Sequence, residues 1–263
     1  MSRYDILALI ERLGNADELE RRMAIAELSE TGADSIPFLL ASLKDSRPNT
    51  RAGAVTVLGA MQHESDEVSR QIAQLLADPV DAVRRSSQDA LAKLGKNSVP
   101  LLEQCLQDTK VEVIAGSAIA LGQIPNCVQS GSDDLLPKLA ELMCYEDAFV
   151  RRQCAITFGK LVSDLPRYHE FLSKTFDHCI DSGDFQSAEE MAAALGETGT
   201  KSNQIAAILL SALHRGDERF KGQLLTVLRR LGACKTVSNE LFVTGRLLAE
   251  WIRIDAKKKK CAQ

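Results

Sequence analysis

The chain has 263 residues, of which 45% are hydrophobic, 26% charged and 5% aromatic, and its net charge is −4 from 32 basic and 36 acidic side chains. This is the composition of a globular chain long enough for a sizeable core, not of a disordered one. Alanine and leucine dominate the apolar set and β-branched runs are sparse, which points to helices packed on helices and away from a β-sandwich or barrel.

The first residues, MSRYDILALIERLG, interleave charges with apolar positions and read as an amphipathic helix, not as a secretory signal. From there an apolar helix, a short polar turn and a second alanine-rich helix recur along the chain. The leucine near the end of each second helix serves as a reference point: Leu28, Leu58, Leu91, Leu121, Phe158, Leu195 and Leu228, in steps of 30, 33, 30, 37, 37 and 33 residues. Each step accommodates two helices of three or four turns. The predicted repeats are about 4–32, 34–62, 65–95, 97–125, 132–163, 169–199 and 201–232. Between the fourth and fifth, NCVQSGSDD (126–134) is the longest punctuated connector and is expected to be a flexible joint. An amphipathic helix at 237–254, with Leu241, Leu247, Leu248, Trp251 and Ile252, is expected to cover the last repeat. Residues 256–263 form a basic, solvated, disordered tail in this reading.

Positions not used for the alignment agree with it. A proline lies twenty-one residues before the reference in three repeats (Pro37, Pro100, Pro137), where a first helical turn tolerates it. Thirteen before it are Asn15, Asp45, Asp78 and Asp108, which are expected to cap the second helices. Seven before it stand Arg21, Arg51, Arg84 and Arg151, expected to reach an aspartate of a neighbouring turn. Four before it are small residues, Ala24, Ala54, Ser87, Ser117 and Cys154, which allow helices to approach closely. One after it is Gly59, Gly122, Gly159 or Gly196, placed for backbone freedom or tight packing.

The segments DSRPNTRAGAVTVLGAM, DPVDAVRRSSQDALAKLG, DTKVEVIAGSAIALGQI and EDAFVRRQCAITFGKL resemble HEAT repeats, in particular the short bacterial subtype found in phycobilin lyase subunits. The resemblance runs from about Tyr4 to Gly232 and implies an all-α, right-handed solenoid of about seven helical hairpins. In such solenoids the second helices line the concave surface. The resemblance therefore places Arg22, Arg85, Asp89, Lys93, Gln123, Arg152 and Lys160 in the groove as partner-binding residues. An acidic patch of Glu189, Glu190 and Glu197 follows.

No catalytic constellation accompanies these positions. There is no GxSxG, Walker loop, GxGxxG, HExxH or CxxC. His63-Glu64 and His169-Glu170 are similar to the iron-ligand dipeptides of deoxyhypusine hydroxylase, but they do not fall at matching repeat positions. Seven cysteines (Cys105, Cys127, Cys144, Cys154, Cys179, Cys234, Cys261) form no framework and read as thiols of a reducing compartment.

The resulting expectation is a cytoplasmic, non-enzymatic scaffold or adaptor that holds a partner protein, without a cofactor or metal. The acidic balance and paucity of aromatics argue against nucleic acid as the partner, and no apolar run is long enough to span a bilayer. Two alternatives follow from the subtype and the cysteines. One is a bilin lyase subunit or phycobiliprotein chaperone acting on a linear tetrapyrrole. The other is an iron–sulfur cluster assembly factor using Cys144 and Cys179.

Overall fold

The computed structural model describes residues 3–63, 65–130, 133–162, 169–181, 183, 185–197, 203–213, 215 and 218–230. The expected cap at 237–254 and the tail at 256–263 lie outside them. Two compact units divide the chain, Met1–Leu161 and Val162–Gln263. Every regular element among the described residues is helical.

Unit 1 alternates first and second helices. The pairs are α1 (Arg3–Leu13) with α2 (Glu18–Ser29), α3 (Ile36–Ser42) with α4 (Pro48–Met61), and α5 (Asp66–Gln74) with α6 (Asp81–Lys93). They continue as α7 (Val99–Cys105) with α8 (Val111–Leu121) and, after the short α9 (Cys127–Ser130), α10 (Leu135–Leu142) with α11 (Ala148–Val162). The helix starts follow from the residues: Pro37, Pro48 and Pro100 occupy first-turn positions, where no N–H is needed.

The reference column is the core. Leu28, Leu58, Leu91, Leu121 and Phe158 are all 0% exposed. Fifteen residues before them Leu13, Leu43, Leu76, Leu106 and Met143 are buried too. Each such side chain stabilises the stack by about 1.5–3 kcal/mol. The small residues Ala24, Ala54, Ser87, Ser117 and Cys154 are likewise 0% exposed.

Neighbouring second helices pack on one another, α2 on α4, α4 on α6 and α6 on α8. The glycine after the reference makes this possible by absence of bulk. A Cβ on Gly59 would lie 2.7 Å from the Ala90 Cα, and one on Gly122 would lie 2.9 Å from Thr157 Oγ1. The Thr157 hydroxyl then donates to the Ala118 carbonyl at 2.7 Å, tying α11 to α8. Close packing, not a left-handed backbone, is therefore the use of this glycine column.

The left-handed residues stand a few positions later, where each repeat of unit 1 links to the next. They are Gly32, Gln62, Gly95 and Asn126, with φ of 71°, 48°, 67° and 54°. The connector at 126–134, expected to be a flexible joint, opens with Asn126 and then forms α9, in which Cys127 is wholly buried. A buried anchor holds that end of the connector in place.

Unit 2 repeats the hairpin plan with α12 (His169–Asp181), α13 (Phe185–Glu197), α14 (Asn203–Ala212) and α15 (Glu218–Arg230). Here α12 packs on α14 and α13 on α15. Aromatic rings fill the core: Phe220 lies 6.4 Å from Phe176 and 5.4 Å from Phe185, centroid to centroid. No helix among the described residues is long and apolar enough to cross a membrane.

Candidate functional site

The surface of unit 1 is organised by its intra-repeat turns. Asn15, Asp45, Asp78 and Asp108 do not cap the helices directly, as the spacing had implied. Each side-chain oxygen accepts the backbone N–H two residues on, at 2.9, 2.8, 2.8 and 2.8 Å, which closes the turn before the helix begins. Helix capping by aspartate falls to Asp17 on α2 and Asp147 on α11, outside that column.

The arginine column has a role that the one-dimensional pattern missed. Arg21, Arg51, Arg84 and Arg151 each turn back and donate through Nη1 to the carbonyls six and five residues earlier, at 2.7–3.2 Å. The acceptors are backbone carbonyls of the turn itself, so each guanidinium closes over the turn that precedes its own helix. Arg51 also reaches the next turn: its Nε and Nη2 donate to Asp78 Oδ2 and Oδ1 at 2.8 and 2.9 Å. Burial pushes the Asp78 carboxyl up, but the Arg51 and Val80 hydrogen bonds outweigh it and hold the group below the usual carboxylate range.

With the turns fixed, the expected partner-binding residues can be placed. Arg22, Arg85, Asp89, Lys93, Gln123, Arg152 and Lys160 are all exposed. Arg22 pairs with Glu18 and Arg85 with Asp81, each at 2.6 Å and one helical turn apart. The two acidic partners were not singled out, although an acid four residues before each arginine was a readable signal. An open depression of about 460 Å³ crosses three successive second helices. Glu18, Arg22 and Ile25 of α2 form one side, Ala52 and Thr56 of α4 the floor, and Ala82 and Ser86 of α6 the other side.

Lys93 belongs elsewhere. It lines a second depression, of about 520 Å³, between the links that join α4 to α5 and α6 to α7. His63, Ser69 and Lys96 line it as well. Glu189 is in unit 2, largely covered, with Arg219 at 3.8 Å. The side chains of Glu190 and Glu197 lie outside the described residues.

Among the described residues no three His, Cys, Asp or Glu side chains cluster closely enough to hold a metal ion. Burial pushes the Cys154 thiol up to about 12, and burial together with Glu103 does the same to Cys127. Burial also raises Cys105. Such thiols stay protonated at neutral pH and are poor nucleophiles and poor ligands.

Comparison with known proteins agrees with this architecture. The family model for HEAT repeats matches residues 6–92 and 68–157, together more than half of the chain. The chain belongs to the HEAT-repeat family. The uncharacterized protein SkfG of Bacillus subtilis (strain 168) is 26% identical over 147 residues, 55% of this chain and 81% of that protein. Kap121p bound to Ste12p superposes over 88% of this chain and 27% of that one, with a TM-score of 0.57 and 16% identity. The Pds5–Scc1 complex matches 84% of this chain and 41% of that one, with a TM-score of 0.53 and 16% identity. The chain thus spans less than half the length of either solved neighbour, and the likeness is one of fold.

Proposed function

We propose that this protein is a protein-interaction scaffold that holds a partner segment across the second-helix face of unit 1. The observation that carries the reading is the depression over α2, α4 and α6, floored by small residues and edged by the pair Glu18–Arg22, with the exposed pair Asp81–Arg85 next in sequence to its Ala82 and Ser86 side. The small floor leaves room for a partner's side chains. The exposed pairs contribute little to the fold, so their charges remain available to steer and orient a partner.

Packing supports the choice of face. Second helices approach until a Cβ would clash, whereas α5 and α7, two first helices, leave a cleft of about 380 Å³ between them. Closer spacing on one side bends a stack toward that side, which favours the second helices as the inner layer. The two neighbours, Kap121p bound to Ste12p and Pds5 in complex with Scc1, are in keeping with this use of the fold.

The test has two stages. Affinity purification with mass spectrometry identifies a partner, and the purified partner is then titrated against wild type and against Arg22→Glu with Arg85→Glu. Charge reversal is expected to weaken the complex at least about tenfold while far-ultraviolet circular dichroism stays unchanged. Equal affinity for both proteins would remove this face from consideration. Turnover of a substrate by the purified chain alone would count against a non-enzymatic scaffold.

A further inference from the structure

The depression that holds Lys93 has a different chemistry from the second-helix face. One wall is the end of α6 and the turn after it, which supply the Lys93 and Lys96 ammonium groups. Neither lysine makes an ion pair among the described residues. The facing wall is the N-terminus of α5, a nine-residue helix whose N-cap, Ser65, makes no side-chain capping bond. Its first-turn N–H groups are left without a side-chain acceptor and carry the positive end of the helix dipole.

A serine almost wholly buried in the wall of the depression, with its hydroxyl open to the cavity, supplies the independent observation. Ser69 is only 7% exposed and lines the cavity, yet its hydroxyl has no hydrogen-bond partner among the described residues. The other buried helical serines of unit 1 behave differently. Ser42, Ser87 and Ser117 each donate to the carbonyl four residues back, at 2.8, 3.1 and 2.6 Å. Thr50 also lacks a partner, but it is packed beside Gly14 between repeats rather than opening on a cavity. An unpaired hydroxyl next to an unpaired helix terminus and two unpaired ammonium groups is a set of donors awaiting one acceptor.

We infer that this depression binds a phosphate group, free or carried as a monoester, held by Lys93, Lys96, the open first turn of α5 and the Ser69 hydroxyl. A phosphate presents three acceptor oxygens and close to two negative charges, which match two ammonium groups and several N–H and O–H donors. Asp66, also on the wall, leaves one net positive charge and suits a phosphate whose carrier brings an N–H or O–H donor beside it. The inference stands on this geometry and does not rest on the partner-binding face.

Titration of the full chain by NMR, following the amides of Asp66 to Ser69, tests it. Inorganic phosphate and a blocked phosphoserine tripeptide are the probes, with glutarate as the carboxylate control. Saturable shifts are expected with both phosphates and at least about tenfold weaker binding of glutarate. A phosphopeptide that binds more tightly than inorganic phosphate assigns the site to a phosphorylated partner; equal affinities assign it to free phosphate. Lys93→Met with Lys96→Met is expected to lose at least about tenfold in affinity, and Arg22→Glu with Arg85→Glu to lose none. Ser69→Ala is expected to weaken phosphate binding without lowering the melting temperature, since the hydroxyl has no bond to lose within the fold. The inference is overturned if phosphate gives no saturable shift, if glutarate binds equally well, or if the lysine variant binds like wild type.

Discussion

In unit 1 one set of devices is repeated: an Asx bond closes the turn, an arginine satisfies the turn carbonyls, and a glycine or small residue admits the next helix. Unit 2 keeps the hairpins and replaces the devices. Its turn position carries Arg215, which reaches back to Asp177 and Asp181 of α12, and its core is centred on Phe220 between Phe176 and Phe185. Repetition of a turn device makes successive repeats interchangeable in register. A core built on particular rings has no such redundancy. The two regions should therefore fail differently when a single residue is changed.

The largest expected effect is in unit 2. Phe220→Ala removes a ring that is 0% exposed and touches two others, and is expected to cost about 4 kcal/mol in urea unfolding. A cost below that of a buried valine-sized deletion would mean that the ring cluster is not the centre of that core.

In unit 1, Asp78→Ala leaves the Arg51 guanidinium, which is largely buried, without its carboxylate. It is expected to cost about 3 kcal/mol. The same pair predicts a pH dependence. The folded-state pKa of Asp78 is depressed, so its stabilisation is present at neutral pH and is lost as pH falls through the folded value, below the usual carboxylate range. Urea midpoints measured from pH 6 downward should therefore fall less steeply in Asp78→Asn than in wild type. Parallel curves would show that other carboxylates dominate acid unfolding.

Glycine gives the sharpest contrast between the regions. Gly59→Val drives a side chain into the Ala90 backbone and is expected to cost about 2 kcal/mol. Gly222 in α15 has nothing within 4 Å of where its Cβ would stand, so Gly222→Ala is expected to stabilise by about 1 kcal/mol. Thermal and urea unfolding of both variants check the sign as well as the size. The smallest effect is expected from Arg215→Ala, whose ion pairs are solvent-exposed. Its melting temperature should stay within experimental scatter of wild type.

Periodicity made the hairpins legible before any coordinates, because a helix of this kind must bury one stripe and so must repeat its apolar positions. Helical hairpins recur at the spacing the apolar pattern implies, as α3 with α4 and α5 with α6. Exposure of Arg22, Arg85 and Arg152 was legible for the same reason. What the aspartates and arginines bond to was not, since a column of identical residues does not say which backbone groups lie within reach. Gln62 carried no glycine-like signal for its left-handed backbone, and Asn126 only the weaker one that asparagine gives. Ser69 looked like any other polar residue on an apolar helix.

The order of residues settled the hairpin plan, the core columns and the family, because hydrophobic spacing and turn chemistry act over distances of a few residues. Which helices press together, where Lys93 faces a different depression from Arg22, and which serine hydroxyl opens on a cavity without a partner were fixed by the stacking of repeats. Those properties arise from groups thirty residues apart meeting in space, and no local pattern encodes the separation at which they meet.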